Sequence, residues 1–271
     1  MYSVSSLYDV AAGVVSPESI VNLPDHHRSH ADIIGYSNQT FYQGRLRVAT
    51  RYQQLRRPGG SRAGVLWQDV RGQVERPTSG GAVNRQEAGA VLAAVRDLLV
   101  TRRYEGTVGV VTPFRAQAQV LQELVAASAD LAPVRDRAEL LVDTVHRFQG
   151  DERGVMFFSP VVSSGTPEGA LGFLRRNGNL FNVAITRGRG LLHVVGDRSA
   201  AASCGVDYLA GFAAYVAGLD RDQPLAQQAC HQGLGPQYPP VGRPERVSEW
   251  EHVLYRALYA AGLRPIPQFT V

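Results

Sequence analysis

The stretch TVGVVTPFRAQAQVLQELVAAS, residues 107–128, joins two kinds of pattern without a spacer. Its first five residues are mostly valine, the composition of a strand buried on both faces. Thr112 and Pro113 follow directly. Threonine caps helix starts and proline suits the first helical position, so a helix is expected to open at this pair. Further on, Val120, Leu121, Leu124 and Val125 recur at helical spacing and predict its buried face. A strand feeding straight into a helix is half of a β–α–β unit, and the question becomes whether the unit repeats.

It repeats in both directions. Upstream, AGVLWQDV (63–70) predicts a strand, and NRQEAGAVLAAVRDLLV (84–100) predicts a helix with Val91, Leu92, Val95, Leu98 and Leu99 on one face. Downstream, ELLVDTV (139–145), GVMFFSPVV (154–162) and LLHVVGD (191–197) predict three more strands. Strands alternating with helices imply an α/β fold, a parallel sheet with helices on both faces.

The composition changes after about residue 222, which sets the expected boundaries: a main domain over 1–222, a linker over 223–246 and a second unit over 247–271. The linker reading rests on a stretch rich in Gln, Pro and Gly without period. In the second unit Ser248 and Glu251 stand in capping-box spacing, with Val253, Leu254 and Leu258 as an apolar face. One helix and one strand-like run cannot bury a core. The unit either docks on the main domain or is the start of a truncated domain, and truncation is favoured.

The totals narrow the class. Hydrophobic residues make up 44% and charged residues 19% of 271, which is globular composition. The net charge of +4 and a pI near 9.3 lean towards anionic partners such as nucleotides or nucleic acid. All 28 basic residues are arginine, which suits bidentate phosphate contacts and equally suits a GC-rich genome. Cys204 and Cys230 have no C-x-x-C spacing, so neither a disulfide framework nor a zinc ribbon is expected. With no signal-peptide pattern and no apolar run of spanning length, the chain reads as cytoplasmic, without a membrane partner.

Four stretches carry chemistry: NLPDHHRSHADIIGYSNQTFYQGRL (22–46), VGVVTPFRAQAQVL (108–121), VDTVHRFQGDERGVMFFSPV (142–161) and NLFNVAITRGRG (179–190). In the last, Arg187 and Arg189 sit where a helix gives way to an apolar run. His26, His27 and His30 invite a metal reading, but no Glu stands beside the first histidine and no second ligand group follows, so no metal site is expected.

Together and in this order, the four resemble the second, C-terminal motor lobe of superfamily-one helicases of the Upf/NAM-like group, over most of residues 5–215. The resemblance implies a RecA-like sheet of P-loop NTPase type without its own P-loop, and ATP held in a cleft shared with another lobe. It assigns Arg187 as an arginine finger and Arg28 as a second phosphate contact, the two catalytic residues. It places Gln149, Gly150 and Glu152 beside the nucleotide, with His27 stacked on adenine where relatives usually carry an aromatic. Thr112, Arg115, Gln117, Thr144 and His146 fall on the nucleic-acid track. Gly188 replaces the usual alanine and is expected to loosen the finger slightly; Arg189 is expected to cap a helix end. Read alone, Arg187 also fits a surface ion pair, Glu152 a solvated turn acid, and Thr112 an ordinary cap.

SEWEHVLYRALYAAGLRPIPQ (248–268) is similar to the opening helix and strand of PD-(D/E)xK-type nuclease domains, matching at Ser248, Glu251 and Gln268. A docked amphipathic helix is the alternative.

The expected function is the C-terminal lobe of an ATP-dependent helicase acting on single-stranded or duplex nucleic acid. DNA is favoured because of the nuclease-like tail. A chain without lysine has no G-x-x-x-x-G-K-[ST] loop, and no Asp-Glu pair ends an apolar strand. The partner is therefore an N-terminal P-loop lobe of the same full-length protein, which would hold most of the Mg2+, and this lobe is expected to be inactive alone. The alternative is a non-catalytic docking module derived from such a lobe. A self-contained α/β enzyme ranks last, since no G-x-S-x-G or G-x-G-x-x-G lies at a strand–helix junction.

Overall fold

Five strands lie side by side, all parallel, in the order Gly64–Asp69, Gly188–Gly196, Arg153–Phe158, Val108–Thr112 and Leu141–Thr144. The computed structural model describes residues 11, 13–16, 23–58, 64–78, 80–231, 237–238, 247–261 and 265. In chain order the strands are β1 (Asp25–His26), β2 (Arg47–Val48), β3 (Gly64–Asp69), β4 (Val74–Glu75), β5 (Val83–Asn84), β6 (Val108–Thr112), β7 (Leu141–Thr144), β8 (Arg153–Phe158) and β9 (Gly188–Gly196). The helices are α1 (Ala31–Phe41), α2 (Arg85–Arg96), α3 (Arg115–Ala127), α4 (Ala132–Arg135), α5 (Glu168–Arg176), α6 (Gly178–Ile185), α7 (Arg198–Ser203), α8 (Asp207–His231) and α9 (Glu249–Ala260). Two short pairs, β1 with β2 and β4 with β5, stand outside the main sheet.

Side chains alternate across each strand, and the alternation divides the core in two. Val108, Val110, Val155, Phe157, Leu191 and Val195 face α2 and α3, meeting Val91, Val95 and Leu121. Val111, Met156, Phe158, Leu192 and Val194 face the other way, onto Ile33 of α1, Phe181 of α6, and Leu209, Phe212 and Val216 of α8. This is the RecA-like α/β arrangement that the strand runs implied, with helices on both faces.

One expectation is corrected. The helix after β6 begins at Arg115, not at Thr112–Pro113; Phe114 is its N-cap and no side chain caps it. Thr112 instead completes the ladder opposite Thr144. The proline restricts the residue before it to extended backbone, which keeps Thr112 in the strand. Next, α8 runs on to His231, through the first part of the stretch expected to be linker.

On α9 the capping box of Ser248 and Glu251 is present, but Val253 and Leu254 are exposed, and Tyr255 is the buried residue, with Tyr238 5.3 Å away. Residues 232–236 and 239–246 of the linker, the C-terminal run with Gln268, and the side chain of Cys230 lie outside what is described.

Candidate functional site

At the N-terminal ends of β8 and β9 the chain gathers arginines. Helix α6 ends at Ile185 and β9 starts at Gly188, so Arg187 occupies the corner between them. The corner is tied at each point: Thr186 Oγ1 donates to Asn182 O (2.7 Å), Arg187 Nε donates to Val183 O (3.1 Å), and Arg187 O accepts from Arg153 N (3.0 Å). The loop bearing Arg28 is stitched to the same strand, since His30 N donates to Arg189 O (2.8 Å).

Glu152 is the hub. Its Oε1 accepts from Arg28 Nε at 2.5 Å, and its Oε2 lies 3.8 Å from Arg189 Nε. Arg187 feels the same group. Burial disfavours its charge most and the neighbouring Arg28 next, while Glu152 opposes both, so its pKa is lowered from the usual arginine range. Two guanidiniums approach the carboxylate and a third, Arg187, is held at the neighbouring corner, which leaves an excess of positive charge suited to a multiply charged anion. Arg189 thus belongs to this cluster; as a residue of β9 it caps no helix, contrary to expectation.

The histidines build the loop. His26 Nε2 accepts from Ser29 N (3.0 Å), and His30 caps α1 by accepting from Asp32 N (3.2 Å). Burial, and then Arg28, lowers the His26 pKa to about 4, so the ring stays neutral and available as an acceptor. Thr50 Oγ1 closes the loop on Ser29 O (2.8 Å). His27 is left exposed beside Arg28, its Nδ1 3.3 Å from Ala49 O. Among the described residues no three His, Cys, Asp or Glu converge as metal ligands.

Gln149 and Gly150 are exposed in the turn before Glu152, where Gly150 has φ +85° and admits a conformation that a side chain would strain. Arg153, which the motif reading passed over, is 9% exposed and pairs with Asp151 at 2.5 Å. At Gly188 a Cβ would lie 3.0 Å from Leu191 O, so the space beside the corner is narrow.

The segment 145–152 connects this cluster to the opposite edge of the sheet. Strand β6 pairs Val108 with Val155 and Thr112 with Thr144, so the two edges are about 13 Å apart at the rise of a strand. At that second edge a cavity of about 700 Å³ is lined by Arg115, Thr144 and His146, together with Arg76, Asp143, Phe114 and Phe173. Helix α3 opens there uncapped.

Two residues expected on this track are turned inward. Thr112 is fully buried, its hydroxyl without a hydrogen-bond partner among the described residues. Gln117 is equally buried: its Oε1 accepts from Asn84 N (2.9 Å), and its Nε2 donates to Asn84 O (3.1 Å) and Ser159 Oγ (3.1 Å). Neither side chain can reach a strand outside the fold.

Gln117 is part of a polar network invisible in the sequence. Ser159 Oγ donates to Glu87 Oε1 at 2.5 Å, and Val161 N donates to the same oxygen at 2.9 Å. Glu87 is fully buried, and burial above all pushes its carboxyl up to about 8. Its place three residues after Asn84 reads as ordinary first-turn acid.

A family model described as AAA domain matches residues 4–199. Among known proteins the chain is similar to Danio rerio mov-10-B.1, 29% identical over 66% of this chain and 19% of that one. The DNA polymerase alpha-associated DNA helicase A of Saccharomyces cerevisiae is 31% identical over 54% of this chain and 21% of its own length. The RNA helicase Mov10l1 of Homo sapiens is 28% identical over 89% of this chain and 21% of its own. The chain thus spans about a fifth of the relatives it matches. With its parallel sheet and its four ordered motifs, the chain belongs to this AAA domain family, as a motor lobe of the superfamily-one helicase kind.

Proposed function

We propose that this lobe works as the C-terminal half of an ATP-driven nucleic-acid motor, with Arg187 and Arg28 facing the triphosphate of a nucleotide held mainly by a P-loop lobe. The observation that carries the reading is that Arg28 and Arg189, from segments far apart in sequence, both approach Glu152 while Arg187 is held at the adjoining corner. In phosphoryl transfer the protein mainly positions and neutralises charge, so a guanidinium fixed at a corner is the useful part. Gln149, Gly150 and Glu152 would border the ribose and phosphates, and His27 the base. The donor set here is arginine and suits phosphate; Mg2+ would be held by the partner lobe, where it would offset charge on the phosphates.

On the other edge, Arg115, Thr144, His146 and the uncapped start of α3 would hold the backbone of a single strand. The segment 145–152 would then couple strand to nucleotide. DNA is the strand proposed, on the likeness of the Ser248–Glu251 helix to a nuclease opening; relatives carry both DNA and RNA in their names, so tests should use both.

The decisive experiment is Arg187→Ala in a protein carrying both lobes. ATP turnover should fall by about 10³ or more with nucleotide binding retained. Unchanged turnover would remove Arg187 from the mechanism. The 271-residue chain alone should hydrolyse no ATP.

A further inference from the structure

The groove at the second edge contains a group that a phosphate track does not need. Asp143, the third residue of β7, lines the same cavity as Arg76, Arg115 and His146. Its Oδ1 accepts from the backbone N–H (2.6 Å) and hydroxyl (3.3 Å) of Thr144. Its Oδ2 has no protein donor among the described residues, and no arginine pairs with it there. A carboxylate beside a bound phosphate is repelled. Its presence beside two arginines and a histidine suits a ligand that carries N–H donors as well as negative charge.

Two aromatic rings border the same space. Phe114, at the head of α3, and Phe173, on α5, have centroids 5.7 Å apart and planes tilted by 47°. With Pro113, Pro167 and Ala170 they make an apolar wall. The cavity's 700 Å³ falls within the range of small-molecule pockets. A nucleobase combines a flat apolar body with N–H donors on its edge, and it arrives attached to the phosphates that Arg76 and Arg115 attract.

We propose that this groove takes one unstacked nucleobase bearing an exocyclic amine, laid against Phe173 and donating to Asp143 Oδ2, while Arg115 and Arg76 hold the flanking phosphates. The inference rests on the single-strand reading above and adds base preference to it. Carboxylates accept from the cytosine amine, whereas thymine presents a carbonyl oxygen at the same place. Cytosine should therefore be favoured over thymine, two bases of nearly equal stacking area.

The test is fluorescence anisotropy of the 271-residue chain with labelled oligo-dC and oligo-dT at one fixed salt concentration. Oligo-dC should bind about fivefold more tightly or better. Asp143→Asn keeps an oxygen for Thr144 and puts an amide donor in place of Oδ2, so the preference should turn towards oligo-dT. Phe173→Ala should weaken both by about fivefold or more and leave their ratio unchanged, because stacking is blind to the amine. Equal affinity of the unaltered chain for both oligonucleotides would overturn the base pocket alone. So would Asp143→Asn strengthening both equally, since the carboxylate would then merely repel phosphate. Failure to bind either oligonucleotide, and equally their oligo-rC and oligo-rU counterparts, would overturn the single-strand reading and the pocket with it.

Discussion

Arg28 and Glu152, 124 positions apart, are joined by an Nε–Oε1 contact of 2.5 Å at the edge of the sheet where β8 and β9 begin. The pair links a loop held by histidines to the turn that precedes β8. Both side chains are about one-third exposed, at 34% each. Its value to the protein therefore lies in geometry more than in stability.

Glu152→Ala is expected to cost less than about 1 kcal/mol in urea denaturation, as exposed ion pairs do. It would also leave Arg28 and Arg189 without the carboxylate that both approach. A loss of several kcal/mol would show that the pair is a structural anchor instead.

Glu87 makes stability depend on pH. Its folded pKa of about 8 lies above its ordinary 4.5, so the native state holds a proton that the unfolded chain releases. The contribution is complete below 4.5 and is lost as pH rises through 8. Glu87→Gln preserves an acceptor for Ser159 and Val161 and removes the titration. The urea midpoint of the unaltered chain should fall between pH 5 and pH 8 by more than that of the variant. Parallel slopes in the two proteins would exclude Glu87 as the cause.

How far the sequence reaches can be judged from these residues. The five strands were legible because strands buried on both faces must be apolar along their length, as in residues 154–158 and 191–195. The order of four motifs was enough to single out Arg28, Glu152 and Arg187, which the fold brings together. The second edge was less legible. Gln117 looks like any polar helix residue, and only partners 33 and 42 positions away show that it is interior. Thr112 has the type of a cap, but ladder pairing with Thr144 decides its backbone. Asp143 and Arg76 share a cavity that no spacing announces. Local pattern reports which face of an element is apolar, and it is silent on which polar group finds a distant partner.

Gln117 and Arg115 should therefore separate cleanly. Gln117→Ala removes three buried hydrogen bonds and strands their partners, so a loss of about 2–3 kcal/mol in stability is expected. Arg115 is exposed at the groove, and Arg115→Ala should leave stability within about 0.5 kcal/mol. It should instead reduce the salt slope of oligonucleotide binding by about one. A salt slope altered by the glutamine and not by the arginine would reverse these assignments.

Gly188 tests how tightly the finger's corner is built. An added Cβ would come within 3.0 Å of Leu191 O and 3.4 Å of Met156 Cβ, a backbone atom and a fully buried core side chain. Neither is a flexible end that can swing away, so Gly188→Ala should destabilise by about 1–3 kcal/mol, seen as a lower Tm. The strain falls next to Arg187, whose carbonyl accepts from Arg153 N and whose Nε donates to Val183 O. In a two-lobe protein the variant should lose turnover together with Tm, whereas Arg187→Ala should lose turnover with Tm nearly unchanged. A Gly188→Ala protein with unaltered Tm would mean that β9 yields at its first residue and that the corner does not fix the guanidinium.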